Sequence, residues 1–356
     1  MKHAIAALLL TTGSASAAQS VFDANQAQLL QDGLIETADM FILPGYQAFA
    51  ATAVAMEETT TSYCDGTENF EAVETAFADV FLAWQYISII QIGPINDAEG
   101  PMRVQLWPDP KGFARRAIRS AVSAADPALL EDGALEGHSV ALVNLTALEE
   151  LIYGDFAPGT YACDLAVALS ANQATLAEGL VADWTTSDFR AAFDTAAEGN
   201  ATYPTIDALI RELLAGTVVY TDRLRKFKLQ RGLGLTAGES RPERTEARKS
   251  GLGLQSIAVS FTALRDLYEL PLGFFDVTPD VGGSMEYFVL GETAASISGS
   301  LSIERRSLAE IAEEDGVVAA DLRNYAELTL FHEDYLKIGL PASLGMTAGF
   351  TSADGD

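Results

Sequence analysis

The chain has 356 residues, with 50 Asp and Glu against 22 Lys and Arg, a formal net charge of -28, and only two Cys and three His. That balance argues against nucleic-acid partners and against docking on anionic membranes, both of which need a cationic face. So few thiols and imidazoles exclude a Cys/His zinc cluster or an iron–sulfur centre on four thiolates, while a hydrophobic share of 49% suffices for a sizeable core.

The N-terminus reads as a secretory signal. Lys2 gives a positive start, Ala4 to Leu10 is unbroken apolar sequence, and Ala15-Ser16-Ala17 is a small-x-small cleavage site. Residues 1–17 are therefore expected to be removed, with no Cys after the site to take a lipid. No later stretch reaches ~18 apolar residues without charge, so no transmembrane segment is expected after cleavage. The expected location is periplasmic. An oxidising compartment favours a disulfide between Cys64 and Cys163 over two buried free thiols.

From there almost every long segment carries helical periodicity. Phe49, Ala53 and Met56 step through a run from Pro44 to Cys64. Phe70, Val73, Phe77, Val80, Phe81, Trp84 and Ile87 form a broad apolar stripe from 68 to 92. Further helical runs are predicted over 111–125, 138–153, 158–184, 188–198, 203–229, 243–269, 300–312 and 317–338. Ser187 is placed to cap the run holding Phe189 and Phe193. Gly93-Pro94, Gly100-Pro101, Pro108, Pro110, Pro158-Gly159 and Pro271 mark breaks. The fold class is all-α, in antiparallel bundles. Val143 to Leu151 echoes Val259 to Leu267, with Val, Thr-Ala-Leu and the last Leu matching. That echo suggests two related bundles, 18–199 and 200–356, against the alternative of coincidence between Ala/Leu-rich helices.

Basic residues concentrate in two windows, Arg103 to Arg119 and Arg223 to Lys249. In an acidic chain they either pair internally with carboxylates or form a surface that accepts anions or a partner.

Ser139 to Gly154, which includes Asn144, Thr146, Glu149 and Tyr153, resembles the signature helix of the imelysin-like family. So do Leu106-Trp107-Pro108-Asp109 with Lys111-Gly112 and Arg115. Lys228-Leu229 with Gly232 and Gly234 also fits, followed by Arg241-Pro242, Glu246 and Ser250-Gly251 before Leu254. The ending fits as well, with Gly345, Gly349-Phe350 and Asp354-Gly355-Asp356. The resemblance runs from about Leu43 to the C-terminus. It implies a periplasmic protein of two four-helix-type bundles, linked to iron-regulated uptake. The family's founding name comes from a proposed metallopeptidase activity. Its usual signature is Gly-x-His-x-x-Glu, which falls here on Asn144, Thr146 and Glu149, so the Gly and the His are absent. This is similar to the predicted-lipoprotein branch of the family.

The loss of the His bears on chemistry. His and Glu at i and i+3 share a helix face and can share a metal ion, whereas a Thr hydroxyl is a poor ligand for zinc or iron. His138 would stand ~16 Å from Glu149 on one continuous helix, too far to substitute. His332, in Phe331-His332-Glu333-Asp334, reads as part of an exposed helix face. No placed acid/base pair, nucleophile context or Rossmann or P-loop frame is evident. Glu149 lies among Leu145, Leu148 and Ile152 and is expected to be partly buried at the junction of the bundles. Its expected partner is a cation, with Arg265 at the echo position and Arg248 or Lys228 as other candidates; a purely structural ion pair there is the alternative to a pocket. The candidate ligand-binding residues are Asn144, Thr146, Glu149, Trp107, Asp109, Arg115, Arg248, Ser250 and Arg265, with Glu149 the motif candidate for any metal. The expected function is a non-catalytic periplasmic binding or accessory protein in iron or other metal acquisition, its partner an envelope protein or a metal-bearing ligand. A divergent metallopeptidase and a structural interaction module with a vestigial pocket are the alternatives.

Overall fold

The computed structural model describes residues 19–154, 156–270 and 285–347. The signal segment, Pro271 and the terminal Gly349-Phe350 and Asp354-Gly355-Asp356 lie outside them. Helix α1 (Ala24–Thr37) opens on a capping box at Asp23 and continues through a π-turn (Ala38–Ile42) into α2 (Leu43–Cys64). There follow α3 (Phe70–Ile87), α4 (Gly100–Val104), α5 (Phe113–Ala124), α6 (Leu145–Ile152), α7 (Tyr161–Thr186) and α8 (Asp188–Asp194). Helix α9 (Ile206–Arg223) runs through a π-segment (Leu224–Gln230) into α10 (Arg231–Leu233). The rest is α11 (Gly253–Glu269), α12 (Met285–Ser302), α13 (Leu308–Glu314), α14 (Val317–Asp334) with a π-turn (Tyr335–Gly339), and α15 (Leu340–Ser343). Among the described residues there is no strand, as an all-α fold requires.

The first half is organised on α2, which packs along α3 and α7. Cys64 ends α2, Cys163 lies in the first turn of α7, and the two are joined in a disulfide. At the opposite end Tyr46 stacks on Trp184 with centroids 6.4 Å apart, so the two helices run antiparallel. The α3 stripe is buried from Val73 to Ile87, with Phe70 half-buried at its start. Ser187 caps α8 as expected, its Oγ accepting from Arg190 N at 3.2 Å. In the second half α11 packs along α12, and the π-segment after α9 lies against α14. The halves meet where α11 crosses α3. There Tyr86 donates to Asp266 (2.8 Å), and Tyr220 to the Gln85 carbonyl (3.0 Å). One contiguous core runs from Phe22 to Met346, and the expected division at 199–200 falls in the connection between α8 and α9.

Several expected runs are shorter than their apolar spacing suggests. The run over 138–153 becomes helical only at Leu145, after a series of turns through 135–144, and the run over 243–269 only at Gly253. The run over 300–312 is interrupted after Ser302 and restarts at Leu308 behind a Ser307–Glu310 capping box. Helix α7 has the length and mean hydropathy (1.2) of a candidate span, but its inner face is packed on α2. His332 corrects the reading of an exposed face: it is fully buried because it continues the stripe of Leu322, Ala326 and Thr329 on α14. Its Nδ1 lies 3.2 Å from the Tyr268 hydroxyl, Nε2 has no partner among the described residues, and burial pushes its pKa down to about 4.

Candidate functional site

The motif residues sit at the N-terminal end of α6, each held by the backbone around it. Asn144 is the N-cap: its Oδ1 accepts from Ala147 N at 3.0 Å and its Nδ2 donates to the Val140 carbonyl. It therefore shapes the helix start rather than facing a ligand. Thr146, where the family signature has His, donates to the Leu106 carbonyl at 3.2 Å. That bond ties α6 to the Trp107–Asp109 segment, whose Trp107–Pro108 peptide is cis. Arg223 holds the same segment from α9, donating to the Trp107 carbonyl at 2.9 Å. Asp109 then opens α5, its Oδ2 accepting from Ala114 N at 2.9 Å.

Glu149 is buried, with 8% of its surface exposed, but it is not charge-paired as expected. Its Oε1 accepts from the backbone N (2.9 Å) and the Oγ (2.7 Å) of Ser250. Burial pushes its pKa up, and the Ser250 donors offset part of that rise. The expected cationic partners are otherwise engaged or stand apart. Lys249 pairs with Glu150 at 3.0 Å, Lys228 lies deeper in the junction, and Arg248 reaches no carboxylate among the described residues. Arg265 is a correction to the candidate set. It sits on α11, bonded through Nε to the neighbouring Asp266 at 2.7 Å, and takes no part in the site.

A cleft of about 720 Å³ opens between α5, α6, α10 and the 243–249 segment. It brings together Trp107, Asp109, Arg115, Thr146, Glu149 and Arg248, with Ser250 behind Glu149. Its floor is a buried polar network that sequence reasoning did not assign. Lys228 Nζ donates to Gln85 Oε1, to Ser256 Oγ (2.8 Å) and to Ser260 Oγ (3.0 Å), and stands 3.6 Å from Glu246. Glu246 in turn accepts from Gln105 Nε2 (2.8 Å) and Ser256 Oγ (2.6 Å), and Gln85 donates to Gln105 at 3.0 Å. Burial pushes the Lys228 pKa down while Glu246 holds it up. The glycine at 253 permits this arrangement, because a Cβ there would lie 2.6 Å from the Glu246 carbonyl oxygen. Gln85 was visible in the sequence as a polar residue inside the α3 stripe. Lys228 was expected as a possible partner of Glu149 and instead stands beside Glu246, which lay within a quoted family segment without a role.

These side chains do not fit a resident metal ion. Among the described residues no group of three or more His, Cys, Asp or Glu side chains converges. Glu149 already accepts two hydrogen bonds through one oxygen, and Thr146 is turned to a carbonyl. His138 is exposed, with its backbone carbonyl bonded to Arg103. The cleft instead offers cations and unpartnered donors.

A family model described as Imelysin, a peptidase family, matches residues 42–327. A search of curated proteins finds no match. Among solved structures, the crystal structure of an imelysin-like protein from Psychrobacter arcticum 273-4 superposes with a TM-score of 0.75 and 16% identity, over 91% of this chain and 98% of that one. At that identity the likeness is one of fold.

Proposed function

Since the chain belongs to the imelysin family, we propose that it is an exported, non-catalytic binding protein that takes a metal-bearing ligand into the junction cleft, in the service of iron or other metal acquisition. The observation that carries this reading is the cleft itself. It gathers the retained motif residue Glu149 and the Trp107–Asp109 segment around about 720 Å³, a volume suited to a small molecule. A zinc peptidase needs three protein ligands and an open position, and the side chains at the motif supply no such set. A metal carried inside a ligand needs no such set, because the ligand's own donors coordinate it. The Cys64–Cys163 bridge supports an oxidising compartment, and the N-terminal sequence supports export.

Equilibrium dialysis tests the proposal. Iron supplied as its citrate complex should be retained at one equivalent per chain, while zinc supplied as the aquo ion should not be retained. Casein incubated with the protein and added zinc should stay intact. Zinc-dependent cleavage of casein, or failure to retain iron from the citrate complex, would overturn it.

A further inference from the structure

A chain with a net charge of -28 has carboxylates to spare for every cation, yet the cleft wall keeps several cations unpaired. Three of the carboxylates lining it are committed: Glu150 to Lys249 (3.0 Å), Glu243 to Arg244 (3.9 Å) and Glu246 to Lys228 (3.6 Å). Glu149 is held by Ser250, and Asp109 Oδ2 accepts from Ala114 N in the first turn of α5. Lys111, Arg115, Arg231 and Arg248 also line the cleft, and none has a carboxylate within 4.0 Å among the described residues. Two further donors are left over. Arg231 lies over the Trp107 ring, 5.8 Å from its centroid, and both Arg231 Nε and Trp107 Nε1 are buried without a hydrogen-bond partner among the described residues. Native proteins seldom leave buried donors unmade, and two on adjoining side chains of one cleft point to a ligand acceptor. Asp109 Oδ1 is the complementary case, a buried acceptor without a donor in the same wall.

We propose that the cleft is built for a small polyanion, a molecule bearing two or more carboxylate or phosphate groups, with Arg115, Arg231 and Arg248 as its charge partners and Trp107 as a neutral donor. A hydroxyl on that molecule would satisfy Asp109. Guanidinium groups grip such oxyanions in a bidentate way, and a cleft between low-dielectric walls concentrates its local field against the acidic surface around it. The proposal rests on reading this cleft as the ligand site and adds the chemical class. It is independent of whether the ligand carries a metal.

The test is calorimetry in metal-free buffer with citrate and with pyrophosphate, at low and at raised salt. At least one should bind, more weakly as salt is raised. Arg115→Gln and Arg248→Gln alter exposed side chains, and unfolding midpoints equal to wild type confirm that each variant folds. Each should lose about tenfold in affinity, the worth of a charge-assisted hydrogen bond. Arg119→Gln, on the same helix but outside the cleft, should bind as wild type does. Citrate alone would assign a carboxylate ligand, pyrophosphate alone a phosphate ligand, and either upholds the proposal. No binding of either, or affinity unchanged in the Arg115→Gln/Arg248→Gln double variant, overturns it. Iron retained in dialysis but displaced by neither anion would overturn the polyanion while sparing the metal-ligand reading. Anion binding without iron retention would do the reverse.

Discussion

Lys228 and Glu246 offer the sharpest energetic test of how the cleft floor is held. Lys228 is a buried ammonium, 8% exposed, with three neutral acceptors and one carboxylate 3.6 Å away, and Glu246 is 2% exposed. Lys228→Met removes the charge at similar length and leaves the Glu246 carboxylate in the core with two neutral donors, Gln105 and Ser256. Stranding one member of a buried pair costs about 3–5 kcal/mol. Glu246→Gln strands the ammonium and should fall in the same range. The double variant removes both charges, so its cost should be smaller than the sum of the singles by at least about 1 kcal/mol. Urea unfolding of the oxidised protein, followed by circular dichroism, supplies the four free energies. Single variants costing less than about 1 kcal/mol, or a double variant equal to the sum, would show that the pair is solvated or uncoupled and that the floor is not built as described.

Further outcomes follow from other parts of the structure. Glu149 has a raised folded-state pKa because of burial, so the stability it contributes is present below its unfolded pKa and lost as pH rises through the folded value. Glu149→Gln keeps the acceptor for Ser250 and should match wild type near pH ~4 and exceed it increasingly towards neutrality; a variant that is less stable at neutral pH would refute this. His332, pushed down to about 4, makes the fold lose stability as pH falls from its unfolded value near ~6.5 through that window. Carbon-detected NMR titration should show a neutral imidazole at pH ~6, and a value near ~6.5 would place the ring in water. Thiol counting in denaturant without reductant should find no free thiol, and replacing both cysteines with Ser should cost about 2–5 kcal/mol, since the bridge closes a loop of 99 positions.

The sequence made the helical architecture legible because burial in a bundle writes itself as a periodic stripe. The α3 stripe from Val73 to Ile87 and the Phe189–Phe193 run behind Ser187 both fold as their spacing dictates. The disulfide was legible from two cysteines in a chain expected to be exported to an oxidising compartment. Helix starts were less so: Asn144 caps α6 because its side chain meets the Ala147 amide, and apolar spacing before it in Leu142 and Val143 serves turns instead. The site was half legible. Family segments carried Trp107, Asp109, Arg115, Thr146 and Glu149 to one cleft, and the search for a cation beside Glu149 added Arg248, but the echo named Arg265, which lies outside the cleft with its guanidinium bonded to the neighbouring Asp266. The partner of Glu149 was misread because a buried carboxylate can be satisfied by a hydroxyl and an amide as well as by a cation, and Ser250 is 101 residues away. The Lys228 network was invisible for the same reason: Gln85, Gln105, Lys228, Glu246 and Ser256 come from separate elements, and no local pattern encodes their meeting.

The junction cleft is the proposed seat of a metal-bearing ligand. Crystals grown with ferric citrate, measured on either side of the iron absorption edge, locate the metal directly. The expected result is one anomalous iron peak between α5, α6 and the 243–249 segment, its coordination completed by the ligand rather than by three protein side chains, with ligand oxygens against Arg115, Arg231 or Arg248. Iron found on surface carboxylates outside the cleft, or coordinated there by three or more protein side chains, would contradict it.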